Sequence, residues 1–232
     1  MEKLMQTESM VLATEEAEQY LETSGSARIL VISDSHGGSE VLEDIIQEFG
    51  PSCDALIFCG DGVCDIAACL EKRASDRRLS EAFPPVIAVV RGNGDAEQYA
   101  VPLPADENGQ PVPPFRLTVP RRVLFKAAGR TVFALHGHVH SVDYGTEMLA
   151  SAASAMDADM VFYGHTHVPL REEQEGTLIL NPGSCVRPRG GFPPTFAVVS
   201  FPGTTERYET EFFQINKSLF GGRSFSPLSW NV

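Results

Sequence analysis

The stretch Ile29-Leu30-Val31-Ile32-Ser33-Asp34-Ser35-His36 carries an apolar, largely β-branched run straight into a carboxylate and an imidazole. A short apolar run of this kind reads as a buried strand, which places Asp34 and His36 at its carboxyl end. Working outward, Ala55-Leu56-Ile57-Phe58-Cys59 runs into Gly60-Asp61, and Val86-Ile87-Ala88-Val89-Val90 leads to Gly92-Asn93-Gly94-Asp95. Thr131-Val132-Phe133-Ala134-Leu135 precedes His136-Gly137-His138-Val139-His140, and Met160-Val161-Phe162-Tyr163 precedes Gly164-His165-Thr166-His167. All six histidines of the chain fall in three of these patches. In open α/β sheets ligands bind outside the carboxyl ends of the strands. The five strand ends therefore point at one crevice, and their Asp, Asn and His content makes a metal site the first expectation.

Each patch alone has a plainer reading. A carboxylate at a strand end can simply cap the next helix, as Ser39 could. Gly60-Asp61 is ordinary turn chemistry, and Gly92-Asn93-Gly94 could be a turn whose residues tolerate positive φ. His165-Thr166-His167 is less ordinary. Histidines two apart in a strand or turn point the same way, and strands seldom spend core positions so. Asn181-Pro182-Gly183-Ser184 reads as a tight turn after a strand at 177–180, structural first and a phosphate or ligand-supporting contact second.

Together, the order Asp-x-His, Gly-Asp, Gly-Asn, His-Gly-His, Gly-His-x-His resembles the calcineurin-like metallophosphoesterases over about residues 27–215. Within that family the chain is similar to the small bacterial and archaeal phosphodiesterase branch, sharing its short linkers and lacking a large inserted domain. The resemblance implies an α/β fold, an α-β-β-α sandwich of two mixed β-sheets flanked by helices, with metals at the strand ends. It implies that Asp34, His36, Asp61 and His167 hold one ion and that Asp61, Asn93, His136 and His165 hold the other, Asp61 bridging. Carboxylate, imidazole and amide oxygen suit Mn²⁺, Fe²⁺, Ni²⁺ or Zn²⁺ better than an all-oxygen Mg²⁺ or Ca²⁺ cage would. The likeness favours Mn²⁺. Two divalent ions about 3.5–4 Å apart can share a hydroxide and stabilise the attacking and leaving oxygens of an in-line displacement. The expected activity is hydrolysis of small phosphodiesters by such a two-metal-activated hydroxide. Two alternatives stand beside it: a phosphomonoesterase, and a non-catalytic interaction scaffold of the same fold, as in the metallophosphoesterase-like subunit of the retromer trafficking coat.

One departure matters. Many metallophosphoesterases place His after the motif's Asn, where it can protonate the leaving oxygen, whereas this chain has Gly94. Loss of a positioned acid costs about 10²–10⁴ in rate. Asp95 and His138 are the substitutes within reach, and His138 stands with Asn93 as a candidate catalytic residue. The plainer expectation is that Asp95 caps the following helix, that His138 orients a metal ligand, and that His140 lies in a loop or on the surface.

Composition bounds the rest. A chain of 232 residues suits one α/β domain with a sizeable core. Its formal charge of −13 argues against an extended nucleic-acid groove. Arg73, Arg77, Arg78 and the pair Arg121-Arg122 read as solvated faces. The partner expected is a small phosphate-ester substrate, with no membrane and with a homo-oligomer left open. Cys53, Cys59, Cys64, Cys69 and Cys185 form no Cys-x-x-Cys pair, which suggests a reducing compartment. Residues 1–26 lack a signal peptide's hydrophobic segment, so a soluble, cytoplasmic protein is expected.

Along the chain, three segments are expected: an N-terminal extension at 1–26, the metallophosphoesterase domain at 27–215 and a C-terminal tail at 216–232. The extension carries a short helix at 15–22. Val41, Leu42, Ile45, Ile46 and Phe49 mark a second helix, and a third follows Asp61 at about 66–75. Residues 99–115, with Pro102, Pro104, Pro111, Pro113 and Pro114, read as a loop. A strand at 117–126 then turns at Ala128-Gly129-Arg130 into a hairpin, and a helix spans 145–156. Further strands are expected at 168–172, 177–180, 195–201 and 207–215. Phe220, Phe225 and Trp230 are too apolar for an idle tail and imply packing on the core or on a neighbour.

Overall fold

The computed structural model describes residues 5–202, 207–218 and 221–229. The chain runs α1 (Glu15–Thr23), β1 (Ser26–Ile32), α2 (Ser39–Phe49), β2 (Ala55–Phe58), α3 (Val63–Lys72), α4 (Arg77–Ala82) and β3 (Val86–Val89). Next come β4 (Gln98–Val101), β5 (Phe115–Thr118), β6 (Arg122–Ala127), β7 (Arg130–Leu135), α5 (Glu147–Ser154) and β8 (Met160–Phe162). Finally come β9 (Pro169–Gln174), β10 (Thr177–Pro182), β11 (Thr195–Pro202), β12 (Glu209–Lys217) and β13 (Arg223–Pro227).

Two mixed sheets result. One has the order β13-β12-β11-β1-β2-β3 and the other β6-β7-β8-β10-β9, with β4 and β5 forming a separate ribbon. β1, β2 and β3 are parallel, as are β7, β8 and β10. The period-two alternation of each strand sorts its side chains between layers. On β1, Leu30 and Ile32 pack with Leu42 and Ile45 of α2, while Ile29 and Val31 join Val132, Ala134 and Phe162 between the sheets. On β7, Phe133 and Leu135 face the other way, onto Leu149 and Ala153 of α5. Strands buried on both faces explain the continuous apolar runs of the sequence. The layering is α-β-β-α, as the resemblance implied.

Several boundaries differ from expectation for local reasons. The third helix starts at Val63, directly after the Asp61 turn, because the Asp95 carboxylate accepts Gly62 N–H at 3.0 Å and Val63 N–H at 2.9 Å. Asp95 therefore caps the helix before it in sequence, not one after it. The unexpected α4 has a readable N-cap, Asp76, which accepts Leu79 N–H at 3.1 Å. Ser39 does not cap α2; the N-cap is Gly38, and Asp65 Oδ2 takes the N–H groups of Gly37 and Gly38. The expected loop at 99–115 keeps its proline-rich middle, but its ends pair as β4 and β5. The expected single strand at 117–126 is divided between β5 and β6, in different sheets.

Residues 11, 12 and 21 of the N-terminal segment are part of the packed body. Leu12 exchanges two backbone hydrogen bonds with Ile87 of β3, at 2.8 and 2.9 Å, and Val11, Leu12 and Leu21 are buried. At the other end β13 closes the six-stranded sheet, and Phe225 meets the Phe49 and Phe196 rings edge-on. Phe220 and Trp230 lie outside the described residues.

Candidate metal centre

Asp34, Asp61 and Asn93 follow β1, β2 and β3, whereas His136 follows β7 and His165 and His167 follow β8. The two sheets thus bring their parallel strand ends to one place. Five of the candidate ligands, Asp34, His36, Asp61, His165 and His167, hold a left-handed backbone, with φ of 55°, 42°, 55°, 71° and 61°. Non-glycine residues seldom adopt it, and where they cluster the surroundings must over-determine them.

Those surroundings are explicit. Asp34 is fully buried; its Oδ2 accepts from Ser33 Oγ at 2.6 Å and from His165 N–H at 3.1 Å, while its Oδ1 has no hydrogen-bond partner. That oxygen faces His167 Nε2 at 3.2 Å and His36 Nε2 at 3.8 Å. The two imidazole Nε2 atoms lie 3.0 Å apart. His167 Nδ1 sits 2.6 Å from the Arg187 carbonyl, which can only accept, so Nδ1 carries the proton and Nε2 presents a lone pair. The same logic orients His136: Nδ1 donates to the Cys59 carbonyl at 2.7 Å, and Nε2 is buried without a hydrogen bond, 3.5 Å from Asp61 Oδ2. Asp61 Oδ1 accepts the Gly94 N–H at 2.8 Å.

Orphaned acceptors aimed at a common point are costly unless a cation satisfies them. Asp34, His36 and His167 form one group of converging ligand atoms, and Asp34, Asp61 and His136 form a second. Asp34 is common to both, whereas the resemblance gives the bridging place to Asp61. Asn93 Oδ1 and His165 Nδ1 face each other at 3.1 Å and complete the array. His165 and His167 do not point the same way, because left-handed φ at both takes the segment out of extended geometry. One turns to Asn93 and the other to Asp34. The donor set fits borderline-hard divalent ions.

The carboxylates and imidazoles of the centre shift one another's protonation. Burial pushes the Asp61 carboxyl up, but the His136 imidazole beside it and the Gly94 N–H outweigh burial and hold the group well below the usual carboxylate range. Burial works against a proton on His136, yet the neighbouring Asp61 carboxylate and the charge of Asp34 raise its pKa overall. His36 is lowered by burial and by neighbouring His167 despite the attraction of Asp34, which favours the neutral ligand form. His138 is lowered by burial and by His136 and His165. Its ring centroid lies 5.5 Å from that of His136 and 6.2 Å from that of His165, and its Nδ1 is buried without a partner. His138 is thus beside the centre without a hydrogen bond from Nδ1 to any ligand. His140 is half-buried beyond it.

The supporting groups were the least legible. Asp95 accepts from Asp61, Gly62, Val63 and Gly92 N–H groups at 2.7 to 3.0 Å, locking the Asp61 and Asn93 turns together. Buried Asp65 braces the Asp34 loop through Ser35 Oγ and the Gly37 and Gly38 amides. Ser184 Oγ donates to the Asp34 carbonyl, and Asn181 Nδ2 to the Gly164 carbonyl, both at 2.7 Å, so the turn at 181–184 supports the ligand loops. Nothing in one sequence separates Asp65 from other helix-start acids. The turn at 92–94 contains no positive φ, and Gly92 is required there for another reason: a Cβ would stand 2.1 Å from Asp61 Oδ1.

The model of the calcineurin-like phosphoesterase superfamily domain matches residues 28–203, and the chain belongs to that family. It is similar to the phosphodiesterase YfcE of Escherichia coli strain K12, 30% identical over 179 residues covering 74% of this chain and 86% of the relative. It is also similar to the probable metallophosphoesterase YsnB of Bacillus subtilis strain 168, 29% identical over 172 residues covering 74% and 83% of the two chains. Among solved structures, a predicted phosphoesterase from Streptococcus pneumoniae TIGR4 superposes with a TM-score of 0.59 at 24% identity, covering 89% of this chain and all of that one. Vacuolar protein sorting 29 from Cryptosporidium parvum superposes with a TM-score of 0.60 at 16% identity, over 89% of this chain and all of that one. The protein is thus a metallophosphoesterase by family, with metal-ligand candidates at the expected strand ends. Among the described residues no helix is long and apolar enough to cross a membrane.

Proposed function

We propose that the chain is a dinuclear phosphodiesterase acting on small phosphodiesters, with Mn²⁺ the favoured ion. The observation that carries this is the complete, convergent donor set in which Asp34 Oδ1 and His136 Nε2 are buried and unsatisfied. Asp34, His36 and His167 would hold one ion and Asn93, His136 and His165 the other, with Asp61 and Asp34 at the junction. Bound there, the ions would supply an activated water and positive charge against the phosphoryl oxygens. Asn93 would take part in catalysis by holding its amide oxygen at that point.

A recess of about 230 Å³ opens beside the centre, bordered by His36, Asp61, Cys64, Gly94, Asp95 and Arg187. Its size suits a small ester substituent, and Arg187 offers a phosphoryl oxygen a cation in an otherwise acidic chain. No imidazole stands at Gly94 to protonate the leaving oxygen. The lowered pKa of His138 leaves it short of the proton an acid must carry at neutral pH, so the remaining candidate is a weak one. Such a site should favour a monoanionic diester with a stable leaving group over a dianionic monoester that competes for the ions. The deciding measurement compares bis-p-nitrophenyl phosphate with p-nitrophenyl phosphate under Mn²⁺. A diester kcat/KM at least about 10-fold higher is expected, an advantage of roughly 1.4 kcal/mol in the barrier. A monoester preference would replace this reading with a phosphomonoesterase. Hydrolysis of neither, with metals bound, would turn it toward the scaffold.

A further inference from the structure

His165 differs from the other candidate histidine ligands of its sheet in the nitrogen it turns inward. His136 and His167 give Nδ1 to backbone carbonyls, of Cys59 at 2.7 Å and Arg187 at 2.6 Å, and aim Nε2 at the carboxylates. His165 is reversed: Nδ1 lies 3.1 Å from Asn93 Oδ1, and Nε2 lies 3.2 Å from Asp143 Oδ2. An amide oxygen has only lone pairs to offer. A cation shared by Asn93 Oδ1 and a bare Nδ1 therefore leaves the single ring proton on Nε2, where Asp143 receives it. We propose that Asp143 is a positioning residue of the metal centre: its carboxylate accepts the Nε2–H of His165 and so fixes the tautomer and rotation that bring Nδ1 to the ion held with Asn93. A carboxylate behind a ligating imidazole also makes the ring a stronger donor than a carbonyl does.

Asp143 is half exposed, but the loop that carries it is anchored on both sides. Val142 is buried with Tyr163 and Leu149. Thr146 is buried and donates to Glu172 Oε2 on β9 at 2.6 Å, and Gln174 Nε2 reaches both Thr146 Oγ1 and Glu172. The backbone that presents Asp143 to His165 is thus held by the fold. It belongs to neither group of converging carboxylates and imidazoles, which separates its role from that of a ligand.

The inference rests on the two-ion reading, and its test reads metal rather than turnover. Metal-free full-length protein is titrated calorimetrically with Mn²⁺, and the visible spectrum of the Co²⁺ form is recorded, for wild type, Asp143→Asn and Asp143→Ala. Wild type should bind two ions. Asp143→Ala should weaken one by roughly 10- to 100-fold and leave the other unchanged, with an altered Co²⁺ spectrum and an unchanged metal-free Tm. Asp143→Asn, which keeps an acceptor oxygen without its charge, should restore part of the affinity. Two unaltered affinities in Asp143→Ala, a single ion in wild type, or joint loss of both ions with a fall in metal-free Tm would each overturn the proposal. Two ions bound as expected in a protein that hydrolyses no phosphate ester would instead remove the phosphodiesterase reading and leave Asp143 in its role.

Discussion

At His36, φ of 42° puts a histidine where glycine would sit more easily, and the same holds for four neighbouring ligand positions. Left-handed backbone at a non-glycine residue costs about 1–3 kcal/mol, so the metal-free protein carries strain that only a bound ion makes useful. His36 is partly exposed at the rim of the centre, so truncating it loses little packing. His36→Gly is expected to leave the metal-free protein as stable or up to about 1 kcal/mol more stable. One ion should be lost, as thermal melts and metal analysis would show. A fall in metal-free stability would mean that the His36 ring supports the fold itself. Gly94 is the opposite case: its φ is not positive, and an added Cβ would approach nothing closer than Asp61 Oδ1 at 3.3 Å. Gly94→His should therefore fold. If the missing acid limits the reaction, it should flatten the dependence of kcat/KM on leaving-group basicity across aryl and alkyl diesters by raising the alkyl rates about 10²-fold or more. An unchanged slope would mean that leaving-group protonation is supplied elsewhere, and a steeper slope in His138→Ala would identify His138 as the source. Asp95 takes four backbone N–H groups, so Asp95→Ala should cost about 2–4 kcal/mol and loosen the Asp61 and Asn93 turns together. Denaturant melts of the metal-free protein would measure it.

Among the elements, the N-terminal segment illustrates what a single sequence conceals. Residues 10–13 read as four apolar positions in a polar leader, yet Leu12 forms an antiparallel bridge to β3 and is 4% exposed. Leu12→Ala should cost about 2–3 kcal/mol, at the low end for a buried leucine because the site lies at a sheet edge. Mn²⁺ affinity should not change, and a change would show that the β3 edge is coupled to Asn93. The five ligand-bearing strands and the crevice were legible because a doubly buried strand must be a short apolar run, and its polar successor is then conspicuous. The joint between β5 and β6 was not. Residues 117–126 alternate in a way that suits one long strand, and only tertiary pairing sends β5 to β4 and β6 to β7. Asp143 escaped for a similar reason. An acid in a loop gains meaning only when the fold sets it against His165, whereas Asp34 and Asp61 announce themselves by the strands they terminate.

For the whole molecule, protons and metal ions should compete. The raised pKa of His136 contributes stability that is full below its ordinary value of 6.5 and is lost as pH rises through the folded value. The depressed pKa of Asp61 contributes stability present above its ordinary value of 3.8 and lost as pH falls toward the folded value. The metal-free protein should therefore gain most from this pair between these two values and lose the His136 part at higher pH. Ligation needs neutral imidazole, so metal binding should release protons, weaken in acid and stabilise more as pH rises. At free Mn²⁺ about 100 times Kd the stabilisation would be about 2.7 kcal/mol per site. Melts across pH with Mn²⁺ or with chelator should diverge above neutrality; parallel curves would refute the linkage. The connector at 102–114 divides the ligands cleanly, with Asp34, His36, Asp61 and Asn93 before it and His136, His165 and His167 after it. Neither portion alone has enough donors for the whole centre, yet β11 of the later portion must pair with β1 of the earlier one, carrying β12 beside it. A chain severed in this connector would therefore make two-ion binding a reporter of reunion: the co-expressed halves should capture both ions together, and each half purified alone should not.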